Sequence, residues 1–314
     1  MNSSSSILAR TLMSNLTRAD VESWFIPFDI FSMFCSVFVI TCALFFLFII
    51  VLDKTCHTIS MMLSANSCFT VLLFGISLLS IDVFTFQNDL KQIEYEDSLC
   101  IFRAYFGYSA CAMMNYSFLL QALNRYILVI YPHRLFWQSI RSQILLICIT
   151  WMFSSVYPLE FLLSGEIIYN RNNQICQIPF QLSFSINYMG SCVYVIPVLT
   201  TIFIYFKLVR YVKQMNKRVI PANIVLRAHR ELKMVRRTII LIIILITVCL
   251  PYQILIIISF FTYPPKYHFR IVYIIINISS VCIIIVLFQF TDQLKTSIMK
   301  RIGRPPNAVL PGVP

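Results

Sequence analysis

The chain has 314 residues, 59% of them hydrophobic and 12% charged, with a mean hydropathy of +0.79 and a formal net charge of +12. No soluble domain of this size has an interior for that much apolar side chain, and several apolar runs reach the ~20 residues that cross a bilayer as a helix. The composition predicts a polytopic helical membrane protein and excludes a soluble globular enzyme. Runs such as Thr238 to Ile246 are too uniform for the short alternating strands of a lipid-embedded barrel.

In chain order, residues 1–27 read as a polar tail before the first apolar run. This tail lacks a basic start followed by an apolar stretch, so a cleaved signal peptide is not expected and the first span directs insertion. Asn2-Ser3-Ser4 and Asn15-Leu16-Thr17 are glycosylation acceptor triplets in it. Seven spans are predicted over residues 28–290, at 28–52, 58–82, 99–131, 142–163, 186–212, 234–261 and 270–290. Asn115-Tyr116-Ser117 and Asn277-Ile278-Ser279 repeat the acceptor pattern inside spans, where they should stay unmodified. Beyond the last span, in residues 291–314, Leu294, Ile298 and Ile302 recur every four residues among Lys295, Lys300 and Arg301. That pattern predicts a short amphipathic helix on the inner leaflet, followed by a short tail. The predicted fold is therefore all-α, a seven-transmembrane helix bundle with a short amphipathic helix after it.

Basic residues set the orientation. One side of the membrane would hold eighteen of the Lys and Arg residues, ten of them between Lys207 and Arg237, and the other side seven. The positive-inside rule then puts the N-terminus outside and the C-terminus in the cytoplasm of a plasma-membrane protein. Read this way, the net positive charge reports topology and contact with anionic lipid, and nucleic acid is not an expected partner. Of eleven cysteines, nine fall within spans or at Cys56 in the first inner loop, which leaves Cys100 and Cys176 outside. A lone pair in an oxidising compartment reads as a disulfide, with two free thiols as the alternative.

Arg125 follows Cys100 by 25 residues. As a helix that distance is roughly 38 Å, enough to cross a ~30 Å hydrocarbon core from one interface to the other. An arginine at membrane depth marks a functional site by default. The plain alternative is a side chain that snorkels to phosphate headgroups.

With these residues in place, the chain resembles the rhodopsin-like family of G-protein-coupled receptors, over roughly residues 28–301. Cys100 and Arg125 have the family's third-helix spacing, and Asn124-Arg125-Tyr126 stands where Asp-Arg-Tyr is usual, with Pro132 seven residues beyond the arginine. Trp151 matches the fourth-helix tryptophan, and Cys176 the partner cysteine in the second outer loop. Pro197 and Tyr205 match the proline and inward tyrosine of the fifth helix, Pro251 the sixth-helix proline, and Glu231 the acidic partner of the arginine. Departures accompany the matches. Asn66 replaces the second-helix aspartate, Cys249 stands at the sixth-helix tryptophan, and the seventh span lacks Asn-Pro-x-x-Tyr.

The resemblance implies a receptor that converts binding of an extracellular ligand into activation of a heterotrimeric G protein. Arg125 would pair with Glu231 at rest and release it on activation, with Tyr205 either bridging to Arg125 or serving as a core aromatic. Kinks at Pro197 and Pro251 would supply the pivots. With Asn124 uncharged, the resting lock should be loose and some signalling ligand-independent. The basic segment Lys207 to Arg237 and the loop from Pro132 to Arg141 are the expected G-protein contacts. Gly107 occupies the position of the amine receptors' aspartate, which argues against a biogenic amine, and the seventh span has no lysine for a retinal Schiff base. Tyr108, Met113, Tyr188, Tyr252, Gln253 and Tyr273 are candidate ligand contacts, with plain packing as the alternative. Acidic residues counted on the outer face, Asp82 and Asp89 among them, would suit a cationic peptide.

Other classes fare less well. Paired acids, a Ser-Lys pair and metal-ligand histidines are missing from mid-span positions, so no enzyme, metal or cofactor is expected. A transporter, the alternative reading, would show repeated halves and broken helices. Neither is visible.

Overall fold

The structure is a computed structural model that describes residues 22–53, 58–131, 136–137, 139–181, 183–215, 253–262 and 265–290. The first span is Phe25–Leu52, the second Ile59–Lys91 and the third Cys100–Ile130. The fourth runs Ile140–Val156 and resumes after Pro158 as Leu159–Leu163. The fifth comprises Phe184–Gly190, a π-helical turn Ser191–Val195, and Ile196–Met215. The sixth is described over 253–261, and the seventh is His268–Phe290. Strands β1 (Ile168–Asn170) and β2 (Ile175–Gln177) form an antiparallel hairpin before the fifth span, with Tyr169 opposite Cys176. Five helices among the described residues are long and apolar enough to cross a membrane.

Local chemistry sets the helix starts. Thr58, Ser139 and Ser183 each cap a helix, accepting from the backbone N–H three residues on. One boundary corrects the sequence reading. The second span was predicted to stop at residue 82, yet its helix runs to Lys91 and ends where Gln92 turns left-handed at φ 52°. Asp82, Asn88 and Asp89 lower the hydropathy there. All three are buried in the bundle, so the helix continues. Asp82 is thus a carboxylate inside a span, which the sequence reading did not expect, and Asp82 and Asp89 leave the outer-face acid count.

Between helices in lipid there is no water to expel, so association rests on close packing and interhelical hydrogen bonds. A Cβ on Gly75 would lie 3.2 Å from Ile40 and 3.3 Å from Val39, so the glycine lets spans one and two approach. Gln121 donates to Ser67 at 2.6 Å and Thr70 to Ser117 at 3.3 Å, joining spans two and three. Trp151 stacks on Phe69 and donates to Asn66 at 3.1 Å. Asn66 therefore faces the fourth span and does not take the expected aspartate's place towards the seventh.

Pro197 has no N–H to give either Val193, four residues back, or Cys192, five back. The freed carbonyls are taken by the third span, Val193 by Asn115 at 3.0 Å and Cys192 by Tyr116 at 3.1 Å. The π turn thereby becomes a hydrogen-bonded joint between spans three and five. Asn115→Leu should leave the Val193 carbonyl buried and unpaired, lowering stability by about 1–3 kcal/mol in thermal unfolding, with Asn115→Gln partly restoring it. Unchanged unfolding in Asn115→Leu would show the joint is not structural.

Candidate functional site: a cavity below the hairpin

The disulfide Cys100–Cys176 forms, as expected, and fastens β2 to the head of the third span. The next residue, Gln177, is 5% exposed and bridges the bundle, accepting from the Tyr108 hydroxyl and donating to that of Tyr273. The backbone N–H of Ile178 adds a 3.1 Å bond to the Tyr108 oxygen, and the Tyr157 hydroxyl donates to the Tyr108 carbonyl at 2.9 Å. Beneath this bridge lies a cavity of about 60 Å³ among Phe74, Ser77, Leu78, Gly107, Tyr108, Met189, Tyr194 and Tyr273. Sites for drug-sized ligands hold about 300–1,000 Å³, so this one is small, and Gln177 lies across it with Tyr108 and Tyr273 on either side.

Beside the cavity, spans one, two and seven bring charges together. Arg270 donates to both carboxylate oxygens of Asp89, at 2.6 and 2.9 Å, and stands 3.6 Å from Asp29. Its guanidinium lies 3.9 Å from the centre of the Phe25 ring, and its backbone N–H donates to Asn173 of the hairpin at 3.2 Å. Asp82, two helical turns below Asp89, contacts Ser36 of span one and Asn277 of span seven. In the hairpin itself, burial first and then Glu94 and Glu96 push the Tyr169 phenol up to about 12, so it stays neutral at neutral pH.

At the opposite end, Asn124 is buried and Arg125 half-buried in the last turns of the third span. Tyr205 is buried, packing with Leu208 of the fifth span against Ala122 and Tyr126 of the third.

The structure sorts the candidate ligand contacts. Tyr108 and Tyr273 line the cavity. Met113 and Tyr188 do not, and Tyr188 packs among Tyr157, Phe161 and Phe184. Gln253 opens the described stretch of the sixth span and does not line the cavity. Tyr252, Glu231, Cys249, Pro251, Asn2, Asn15, Pro132 and the amphipathic segment lie outside the described residues. Sequence reasoning missed Gln177, Ser36, Asp29, Arg270 and Asn277. For Gln177 the one available signal was its place next to the disulfide cysteine.

Residues 42–287 match the family described as seven-transmembrane receptor (rhodopsin family). Among solved structures, squid rhodopsin superposes with a TM-score of 0.74 at 14% sequence identity, covering 90% of this chain and 86% of its own. At that identity the likeness is one of fold. No curated protein sequence matches the chain.

Proposed function

This chain belongs to the rhodopsin family of seven-transmembrane receptors, and from that premise we propose that it couples an extracellular ligand to a heterotrimeric G protein. The observation that carries the reading is the third span, one helix with the disulfide and the capped cavity at one end and Arg125 at the other. A ligand that parts Gln177 from Tyr108 and Tyr273 loosens the contact of the hairpin with spans three and seven. The joint of Asn115 and Tyr116 with the fifth span lies between the two ends, so a shift above it reaches the cluster around Tyr205.

In this reading the N-terminus and hairpin face the exterior of a plasma membrane, and the arginine end with its basic segments meets cytoplasm, inner-leaflet lipid and G protein. Arg125 is held at rest by Glu231 and freed as the sixth span swings out. The test is a cell reporter coupled to several G-protein α subunits, comparing wild type with Arg125→Gln at matched surface expression. Arg125→Gln should lower ligand-independent signalling at least about tenfold, the equivalent of losing one interaction of about 1.4 kcal/mol with the partner. Equal signalling at equal surface levels would reject the role of Arg125.

A further inference from the structure

Spans one, two and seven meet at a ring of three buried side chains, Ser36, Asp82 and Asn277, in direct contact with one another. The available hydrogens do not close this ring around an ionised Asp82. The Ser36 hydroxyl lies 2.8 Å from Asp82 Oδ2 and 2.8 Å from Asn277 Oδ1, yet it has one hydrogen to donate. If that hydrogen serves Asp82, the Ser36 and Asn277 oxygens face each other with nothing between them. If it serves Asn277, the Ser36 and Asp82 oxygens do. Turning the Asn277 amide over gives Ser36 a donor, but leaves an amide oxygen 3.3 Å from both carboxylate oxygens. In every arrangement one hydrogen is missing. A proton on Asp82 Oδ2 supplies it: Asp82 donates to Ser36, Ser36 to Asn277 Oδ1, and Asn277 Nδ2 back to Asp82 Oδ1.

We propose that this ring is a single-proton site: in the folded bundle Asp82 holds a proton at neutral pH, and that proton ties span two to spans one and seven. The inference goes beyond the receptor reading and does not depend on it. A carboxylate out of water needs a cation beside it, and Asp82 is 4% exposed. The groups around it supply none. On span seven, Arg270 gives two hydrogen bonds to Asp89, two helical turns above Asp82, and Tyr273 is tied to Gln177. On span one, Asp29 and Cys35 bring no positive charge. On span three, Arg103 lies over Phe84 and pairs with Asp97. In the hairpin, Tyr169 is neutral and faces Glu94 and Glu96.

A proton needs no cavity, only a route. Asp82 and Asp29 line one small cavity of about 20 Å³, which has room for one water, and Asp29 is 13% exposed. The exterior therefore sets the occupancy of the site. Asn277 stands about one helical turn from Tyr273 on the seventh span, so the closed ring holds the stretch of helix from which Tyr273 reaches Gln177. The sign of the pH dependence follows. An unfolded chain, with Asp82 in water, releases the proton above about pH 4. Above that pH the folded state binds one proton more than the unfolded state. Stability from this site is then greatest in acid and falls as pH rises towards neutral.

The test is thermal unfolding of the purified full-length protein in lipid nanodiscs between about pH 5 and pH 7, joined to infrared absorption in the carboxylic acid C=O region. Asp82→Asn is the permanently loaded form, because its amide can donate to Ser36 and accept from Asn277. Compared with that variant, the wild type should lose about 2–4 °C more of its unfolding temperature per pH unit, and it should melt below the variant at neutral pH. At neutral pH the wild type should also show a carboxylic acid band that Asp82→Asn lacks. Should Asp82→Asn fail to fold, Asp29→Asn carries the test, since it keeps Asp82 and should keep a carboxylic acid band at neutral pH. Equal pH slopes in the wild type and Asp82→Asn would overturn the proposal. So would identical carboxylic acid absorption in those two proteins, or the absence of any such band from Asp29→Asn.

Discussion

Arg270→Ala is expected to destabilise the protein by about 3–5 kcal/mol, because it leaves Asp89 as an uncompensated charge where no water reaches. The Asp89 side chain is 0% exposed and that of Arg270 6%, and two short hydrogen bonds join them. The same side chain covers the Phe25 ring, so truncation also removes packing at the head of the first span. Replacing both partners by apolar residues has a different effect. With Asp89→Leu and Arg270→Met together no buried charge of the pair remains, and such replacements are often close to neutral. Asp29, 13% exposed and 3.6 Å from Arg270, loses that cation in the double variant, so part of the cost stays. The double variant should recover most of the lost stability. Unfolding can be followed with a thiol-reactive dye, since Cys68 and Cys111 are buried and free in the folded state. An Arg270→Ala protein that melts with the wild type, or a double variant worse than either single, would refute the ion pair's structural role.

Cys176→Ser is expected to cost about 2–4 kcal/mol. The bridge spans 76 residues in sequence, for which loop-closure entropy alone gives about 4–5 kcal/mol in a free chain. In a membrane the unfolded reference keeps its helices in the bilayer, so part of that restriction exists without the bridge and the effect falls short of the full value. Cutting the bridge also unties Gln177 from the head of the third span, so the cavity should open more readily. Cys100→Ser should behave alike, and the double variant should be no worse than either single, since all three remove one bond. Additive losses would mean that each cysteine acts separately. Surface delivery and unfolding temperature of the three variants decide it.

How much of this was legible follows from the range of the signals. Spans could be read because hydropathy is a local sum, and Cys100 with Cys176 because compartment leaves few candidates. The place of Arg125 on the same helix as Cys100 could be read from their spacing. The outer end of the second span could not. Asp89 looks like a solvated carboxylate until its partner is known, and Arg270 lies 181 residues away. Asp82 likewise gains its meaning from Ser36 and Asn277, 46 and 195 residues distant. Pro197 announced a kink, while the side chains that take its freed carbonyls sit on another helix. Tyr108 and Tyr273, candidates by their place in the outward half of their spans, line the cavity. Tyr188 fitted the same description but packs in a neighbouring aromatic cluster, and only packing tells the two apart.

Purified protein in nanodiscs, mixed with heterotrimeric G proteins of the main α-subunit classes, offers the most direct measurement: the rate of GDP release. A receptor with a loosened arginine lock accelerates release from at least one class above empty nanodiscs, and Arg125→Gln removes the acceleration. Release no faster than with empty nanodiscs in every class, from protein that is folded by its unfolding transition, would contradict the assignment of G-protein coupling to this bundle.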